Sequence, residues 1–299
     1  MVKNFNELYE LALKKGPKKI AVAVAQDEDV LEAIKAGCDK GLIEPILVGN
    51  KLAIEEIAKK INFNLENIEI IDEKDITQAT RMATEYVSSG KASVLMKGLV
   101  DTSIIMKAVL DHDIGLRTDS IISHVAVFEV PTYHKIFIVT DAAMIIAPSL
   151  EQKKQIAENA IALAHSLDIQ MPKVAVIAAK EKVSPKMEAT VHAKELHEMN
   201  TRGEIKGAIV DGPFALDNAV SKDSAKIKGI DSQVAGDADI LLMPDIEAGN
   251  VLYKALSFLA NAKSAGLIVG TKNPIVLTSR ADSAEAKLNS IVLATLMAK

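Results

Sequence analysis

Ser279 and Arg280 stand side by side where the apolar run PIVLTSR (274–280) gives way to a helical pattern from about 283 to 298. Such a junction suits anion chemistry, because a strand running into a helix aims backbone N–H groups at a ligand. Arginine adds a planar fork of donors that matches a phosphate, and a serine hydroxyl can donate to a developing oxyanion. The competing reading is structural, with Arg280 in an ion pair and Ser279 merely starting a turn. Three more stretches share the form of an apolar run ending in polar or glycine residues: MKGLVDTS (96–103), VDGPFALD (210–217) and MPDIEAGN (243–250). In the last, Pro244 and Gly249 shape a loop and Asn250 is placed to bind substrate; alternatively Asp245 or Asn250 caps the next helix. Asp282-Ser-Ala-Glu285 fits a capping box, and Asp211 fits a turn. His124 and His134 have no companion Cys or carboxylate at metal-ligand spacing, so both read as structural.

The elements that must position these residues alternate. KKIAVAVAQ (18–26) reads as a buried strand and EDVLEAIKAGCDKG (28–41) as an amphipathic helix. The same alternation runs to a helix at 102–111 and resumes at KVAVIAA (173–179). Strands apolar on both faces and separated by helices imply a largely parallel, doubly covered sheet. Between them SIISHVAVFEV and KIFIVTD, joined by PTYH, predict an antiparallel hairpin. Ser149 and Gln152 form a capping box opening a helix at 149–167, where a domain crossing is expected. The fold class is therefore α/β, with two domains and the site at strand C-terminal ends.

Composition narrows the function. The 299 residues are 49% hydrophobic and 25% charged, with aromatics at 3%, no Trp and a net charge of −5. Without a basic stripe or stacking aromatics, nucleic acid is excluded as a partner, while a small anion bound by a few local cations is not. The lone Cys38 excludes an internal disulfide and a multi-cysteine metal cluster, and reads as filler. No signal peptide is evident and no apolar run approaches the ~20 residues of a membrane span, so a cytoplasmic location is expected. GxGxxG, GxxxxGK[ST] and GxSxG are absent, which argues against an ordinary dinucleotide fold, a P-loop and an esterase elbow.

VAGDADILLMPDIEAGNVLYKAL (234–256), NPIVLTSRADSAEAKLNSI (273–291) and KGLVDTSIIMKAVL (97–110), with KGAIVDGPFALDNAV (206–220) and SHVAVFE (123–129), resemble the phosphate acetyl/butyryl transferase family. The likeness covers essentially the whole chain and is closest to the butyryl-transferring branch. It implies two αβα domains, 1–148 with 272–299 and 149–271, facing each other across a cleft as in the isocitrate/isopropylmalate dehydrogenase-like fold. It also implies a homo-oligomer, dimer or higher, with no metal and no cofactor beyond the substrates, an acyl-CoA thioester and inorganic phosphate. Phosphate would attack the thioester directly, without an acyl-enzyme. By the resemblance Ser279 and Arg280 are the catalytic pair, Lys107 stands where relatives carry an arginine, and Arg117 adds positive potential. Asp245, Gly249 and Asn250 would line the cleft. Ala286 replaces an Asp and Ser257 an Arg of the acetyl branch, which points away from acetyl-CoA. The base for the reverse reaction stays open between Asp282 and a phosphate oxygen. The rival readings are a phosphate acetyltransferase, a non-catalytic acyl-CoA-binding module, and a metal- and NAD-dependent dehydrogenase on the same fold.

Overall fold

The computed structural model describes residues 2–278 and 282–298. These fall into two compact units, an N-terminal unit (6–120, 265–278 and 282–298) and an inserted unit (2–5 and 121–264). After helix α1 (Phe5–Lys15), the N-terminal unit runs β1 (Lys18–Ala23), α2 (Glu28–Asp39), β2 (Ile43–Gly49), α3 (Lys51–Lys60), β3 (Glu69–Asp72), α4 (Ile76–Ser88), β4 (Val94–Lys97) and α5 (Thr102–Val109). The helices begin where a short polar side chain can take an orphan N–H. Asp27, Asn50 and Asp75 accept from Val30, Ala53 and Gln78 to open α2, α3 and α4.

The inserted unit follows with β5 (Ser123–Glu129), β6 (Phe137–Thr140), α6 (Leu150–Ser166), β7 (Lys173–Ile177), α7 (Glu188–Thr201), β8 (Ile209–Phe214), α8 (Leu216–Val220), α9 (Lys222–Ile227), β9 (Ile240–Leu242) and α10 (Ile246–Phe258). The expected hairpin is present: β5 and β6 pair antiparallel, with Phe128 opposite Phe137. Beyond it β6, β9, β7 and β8 lie side by side and parallel. Their inner face buries Phe128, Phe137, Phe214 and Leu241 in one core. α8 and α9 are separate helices, because Ser221 ends α8 and its side chain caps α9.

The chain then returns through β10 (Lys263–Val269), β11 (Ile275–Val276) and α11 (Ala284–Met297). In the N-terminal unit the strand order is β3-β2-β1-β4-β11-β10, all parallel except β10, which runs against β11. The strand read from PIVLTSR is only two residues long in the sheet. α11 packs on α2 and β11 and is buried on every side from Lys287 to Leu296. Such a pattern belongs to a core helix.

The units change over at 120/121 and 264/265, whereas the sequence places the crossings at 148/149 and 271/272. The first difference has a local cause. Asn159 on α6 donates through Nδ2 to the Ile121 carbonyl at 2.8 Å and Ser123 Oγ at 3.0 Å, fastening that helix to the start of β5. The Ser149–Gln152 capping box that opens α6 is present as expected.

Candidate active site

In the N-terminal unit the chain leaves β1 toward β2 and β3 on one side, while β4 and β11 extend the sheet on the other. Ligands bind outside the carboxyl ends of the strands where the order reverses, here between β1 and β4. The local backbone is built tightly. Val24, just past β1, is buried at φ 56°, a left-handed conformation that a β-branched residue rarely adopts. Its carbonyl accepts from Leu99 N at 2.8 Å, and Gly98 N donates to the Ala23 carbonyl at 2.8 Å. A Cβ on Gly98 would lie 2.3 Å from the Val24 oxygen, so only glycine permits this approach.

Around this point lies a cavity of about 100 Å³. Asp27, Asp29 and Val30 face it from the start of α2, Lys97 and Gly98 from the end of β4, Thr278 from beyond β11, and Lys287 from the first turn of α11. Lys97 is 7% exposed and Lys287 3%. Lys97 Nζ donates to the Gly98 carbonyl at 3.3 Å. Lys287 Nζ donates to the Asp282 carbonyl at 2.6 Å and lies 3.6 Å from Asp29 Oδ2.

The four candidate stretches separate into two pairs. MKGLVDTS and VLTSRADS end neighbouring strands, with Met96 paired to Val276. Ser279 and Arg280 themselves lie outside the described residues, between Thr278 and Asp282. Asp282 is not the cap of the next helix. Ser283 is: its Oγ accepts from Ala286 N at 3.1 Å, while Asp282 offers its carbonyl to Lys287. Lys107 is exposed on the last turn of α5, and Arg117 is exposed in the loop that follows.

VDGPFALD and MPDIEAGN belong to the inserted unit, on β8 and after β9, with β7 between those strands. Asp245 caps α10, accepting from Ala248 N at 2.8 Å. Gly249 is buried against the Asp141 carbonyl, where a Cβ would come within 2.3 Å, and Asn250 Nδ2 donates to the Ala142 carbonyl at 3.1 Å. The segment is therefore fastened to the turn at 141–142. Asp211 does not sit in the expected turn: it lies within β8, where its carboxylate accepts from Gly212 N at 2.8 Å and from Ser232 Oγ and lies 3.1 Å from His197 Nδ1.

Both histidines have structural surroundings. His124 is buried on β5, edge-on to Tyr253. His134 Nε2 meets Asp237 Oδ1 at 2.7 Å, and Lys135 and Lys173 share the same carboxylate. Burial raises the Asp237 carboxyl, but hydrogen bonds from Lys173, His134 and Lys135 outweigh it and hold the group well below the usual carboxylate range. A carboxylate depressed in this way stabilises the fold above its unfolded pKa, about 3.9, and the contribution is lost as pH falls toward the folded value. Asp237→Asn should thus lower Tm by several degrees at pH 7, with the gap to the parent narrowing below about pH 4. Calorimetry at pH 7 and pH 3 checks this; a gap independent of pH would count against it. Burial first, and then the charge of Asp39, push the Cys38 thiol up to about 11, as befits filler. Among the described residues no helix is long and apolar enough to cross a membrane.

Lys97, Lys287 and the Asp27–Asp29 pair escape a reading by motif. The available signal was a lysine closing the apolar strand VLMK, and another just ahead of the apolar run IVLATLM.

Comparison with known proteins gives a consistent result. The family model described as phosphate acetyl/butaryl transferase matches residues 4–87 and 73–295. A phosphate butyryltransferase of Clostridium beijerinckii is 50% identical over 298 residues, covering 100% of this chain and 99% of the relative. A phosphate acetyltransferase of Thermotoga maritima is 49% identical over 292 residues, covering 98% and 99%. Among solved structures, a branched-chain phosphotransacylase from Enterococcus faecalis superposes with TM-score 0.82 at 34% identity, over 94% of this chain and 98% of that one. A 4-hydroxythreonine-4-phosphate dehydrogenase from Salmonella typhimurium, at 15% identity and TM-score 0.59 over 94% and 100%, shares the fold alone and places it in the dehydrogenase-like class.

Proposed function

The chain belongs to the phosphate acetyl/butyryl transferase family, and on that premise we propose that it passes a short, butyryl-like acyl group between coenzyme A and inorganic phosphate. The observation that carries this reading is the position of Ser279-Arg280 in the chain. The pair follows directly on Thr278, which lines a cavity walled by two buried lysines at the switch point of a parallel sheet.

In this reading both substrates are bound together. A phosphate oxygen attacks the thioester carbonyl, the C–O bond forms, the C–S bond breaks, and the proton carried by phosphate ends on the thiol. Arg280 holds the phosphoryl group with paired hydrogen bonds, and Ser279 donates to the oxyanion of the tetrahedral intermediate. The missing acidic residue at Ala286 matters little in this direction, because phosphate is already an anion at pH 7 and a thiolate of pKa about 8.5 leaves readily. Lys107 and Arg117 add positive potential. Within the inserted unit, Asp245, Gly249 and Asn250 are read as substrate-binding residues. The enzyme is read as a cytoplasmic homo-oligomer needing no cofactor beyond its substrates.

The acyl preference rests on two half-buried positions, Ser257 on α10 and Ala286 on α11. The Ser257 hydroxyl is turned back to the Tyr253 carbonyl at 3.0 Å, and Ala286 is a methyl group. A less polar surrounding favours the longer chain, and each buried methylene is worth about 0.8 kcal/mol. Butyryl-CoA should therefore exceed acetyl-CoA in kcat/KM by roughly tenfold or more. Thiol release from acetyl-, butyryl- and isobutyryl-CoA, with and without phosphate, tests both parts. Equal or better use of acetyl-CoA would overturn the butyryl assignment, and release independent of phosphate would overturn the transferase reading.

A further inference from the structure

We propose that α10 is the face by which two copies of this chain pair about a twofold axis, the helix of one copy lying antiparallel against that of the other. The proposal deepens the homo-oligomeric reading and rests on it, adding the surface and the symmetry. It draws on residues of the inserted unit alone.

α10 is apolar on two sides. Ala248, Leu252, Tyr253 and Leu256 lean on the core of the inserted unit, as one stripe of a surface helix should. Its outer side is not left polar. Val251 is 69% exposed, Phe258 66% and Leu259, just past the helix end, 86%. Of the thirteen residues of α10 only Gly249 is buried. Beside the first turn stands Ile146, 74% exposed, whose carbonyl accepts from Ile246 N at 3.0 Å. Single apolar side chains are ordinary on a protein surface, but a row of them along one helix marks an interaction surface.

Charge says what covers it. Glu247, Val251, Lys254 and Phe258 follow one another at steps of four, three and four, so they share one face. Glu247 and Lys254 are exposed and stand about 10 Å apart along the axis. Neither has an ion-pair partner among the described residues. Lys254 Nζ lies instead over the Tyr253 and Phe258 rings, 5.6 and 5.7 Å from their centroids. Along the helix the order is therefore apolar at Ile146, acidic at Glu247, apolar at Val251, basic at Lys254, and apolar at Phe258 and Leu259. A twofold axis near Val251 reverses that order onto itself. Glu247 then faces Lys254 of the second copy, twice, and Phe258 with Leu259 faces Ile146. A parallel pairing would set like charge against like. An isologous contact closes at two copies, and its charge pairs fix the register.

Sedimentation velocity over a range of protein concentration tests the assignment, and the parent should be a dimer. Glu247→Lys and Lys254→Glu each bring like charges face to face twice, so each should raise the dimer Kd by about a hundredfold or more. The double variant Glu247→Lys/Lys254→Glu should recover the parent affinity. An equal mixture of the two single variants should also dimerise, because each copy then meets opposite charges across the axis. Val251→Asp should weaken the dimer similarly; at a position this exposed it tests the same face should the charge variants not fold. A monomeric parent would overturn the proposal and the homo-oligomeric reading together. A dimeric parent whose folded variants keep an unchanged Kd would overturn the face alone. Loss in the single variants with no recovery in the double variant or the mixture would overturn the antiparallel twofold pairing.

Discussion

Arg280→Lys should cost nearly as much activity as Arg280→Gln, although only the second removes the charge. If the guanidinium works by two parallel hydrogen bonds to phosphate oxygens, an ammonium on a flexible stem cannot reproduce them. The expected loss in kcat/KM is on the order of 10²–10³, the range for preorganised groups that stabilise a developing anion. Phosphate is both ligand and nucleophile, so its KM should rise more than that of butyryl-CoA. A structural ion pair predicts something else, namely a lower Tm and similar losses for the two substrates. A folded Arg280→Lys enzyme turning over at nearly the parent rate would remove Arg280 from the mechanism.

Ser279→Ala should act on the rate and not on binding. A hydroxyl that donates to the oxyanion is used in the transition state more than in the ground state, so kcat should fall by about 10²-fold with little change in either KM. Initial-rate patterns should intersect, as a ternary complex requires, and no acyl group should be found on the protein after quenching with butyryl-CoA alone. Parallel lines in the double-reciprocal plot, or an acylated Ser279, would replace direct transfer by a two-step route through an acyl-serine.

How far the sequence carried depended on how local each signal was. The strands β1, β2 and β4 are apolar on both faces and are framed by helices, so their type follows from a few neighbouring residues. The Ser149–Gln152 capping box is equally local. Where two capping residues adjoin, as Asp282 and Ser283 do, composition cannot choose between them. The backbone does so by putting Ser283 at φ −65°, ψ 159°. The cavity was not legible for a different reason. It gathers residues 27, 29, 97, 278 and 287, and what brings them together is the insertion of β11 beside β4, a pairing across some 180 residues that no local pattern encodes. Lys287 is a charge just ahead of an apolar run, but nothing near it in the chain names its neighbours.

That late pairing also sets an order of assembly. As the chain is synthesised from its N-terminus, β1 to β4 emerge first, yet β4 has no partner on its outer side until residues 275–276 have been made. The sheet of the inserted unit draws only on residues 123–242 and need not wait. During that interval the apolar edge of β4, bearing Val94, Leu95 and Met96, is an open strand of the kind that pairs with the wrong chain. A message that stops after residue 264 would leave an inserted unit with all its strands beside an N-terminal unit lacking β11, α11 and Lys287. Residues 265–298 thus complete the sheet of the N-terminal unit and bring Thr278 and Lys287 to the cavity beside β4.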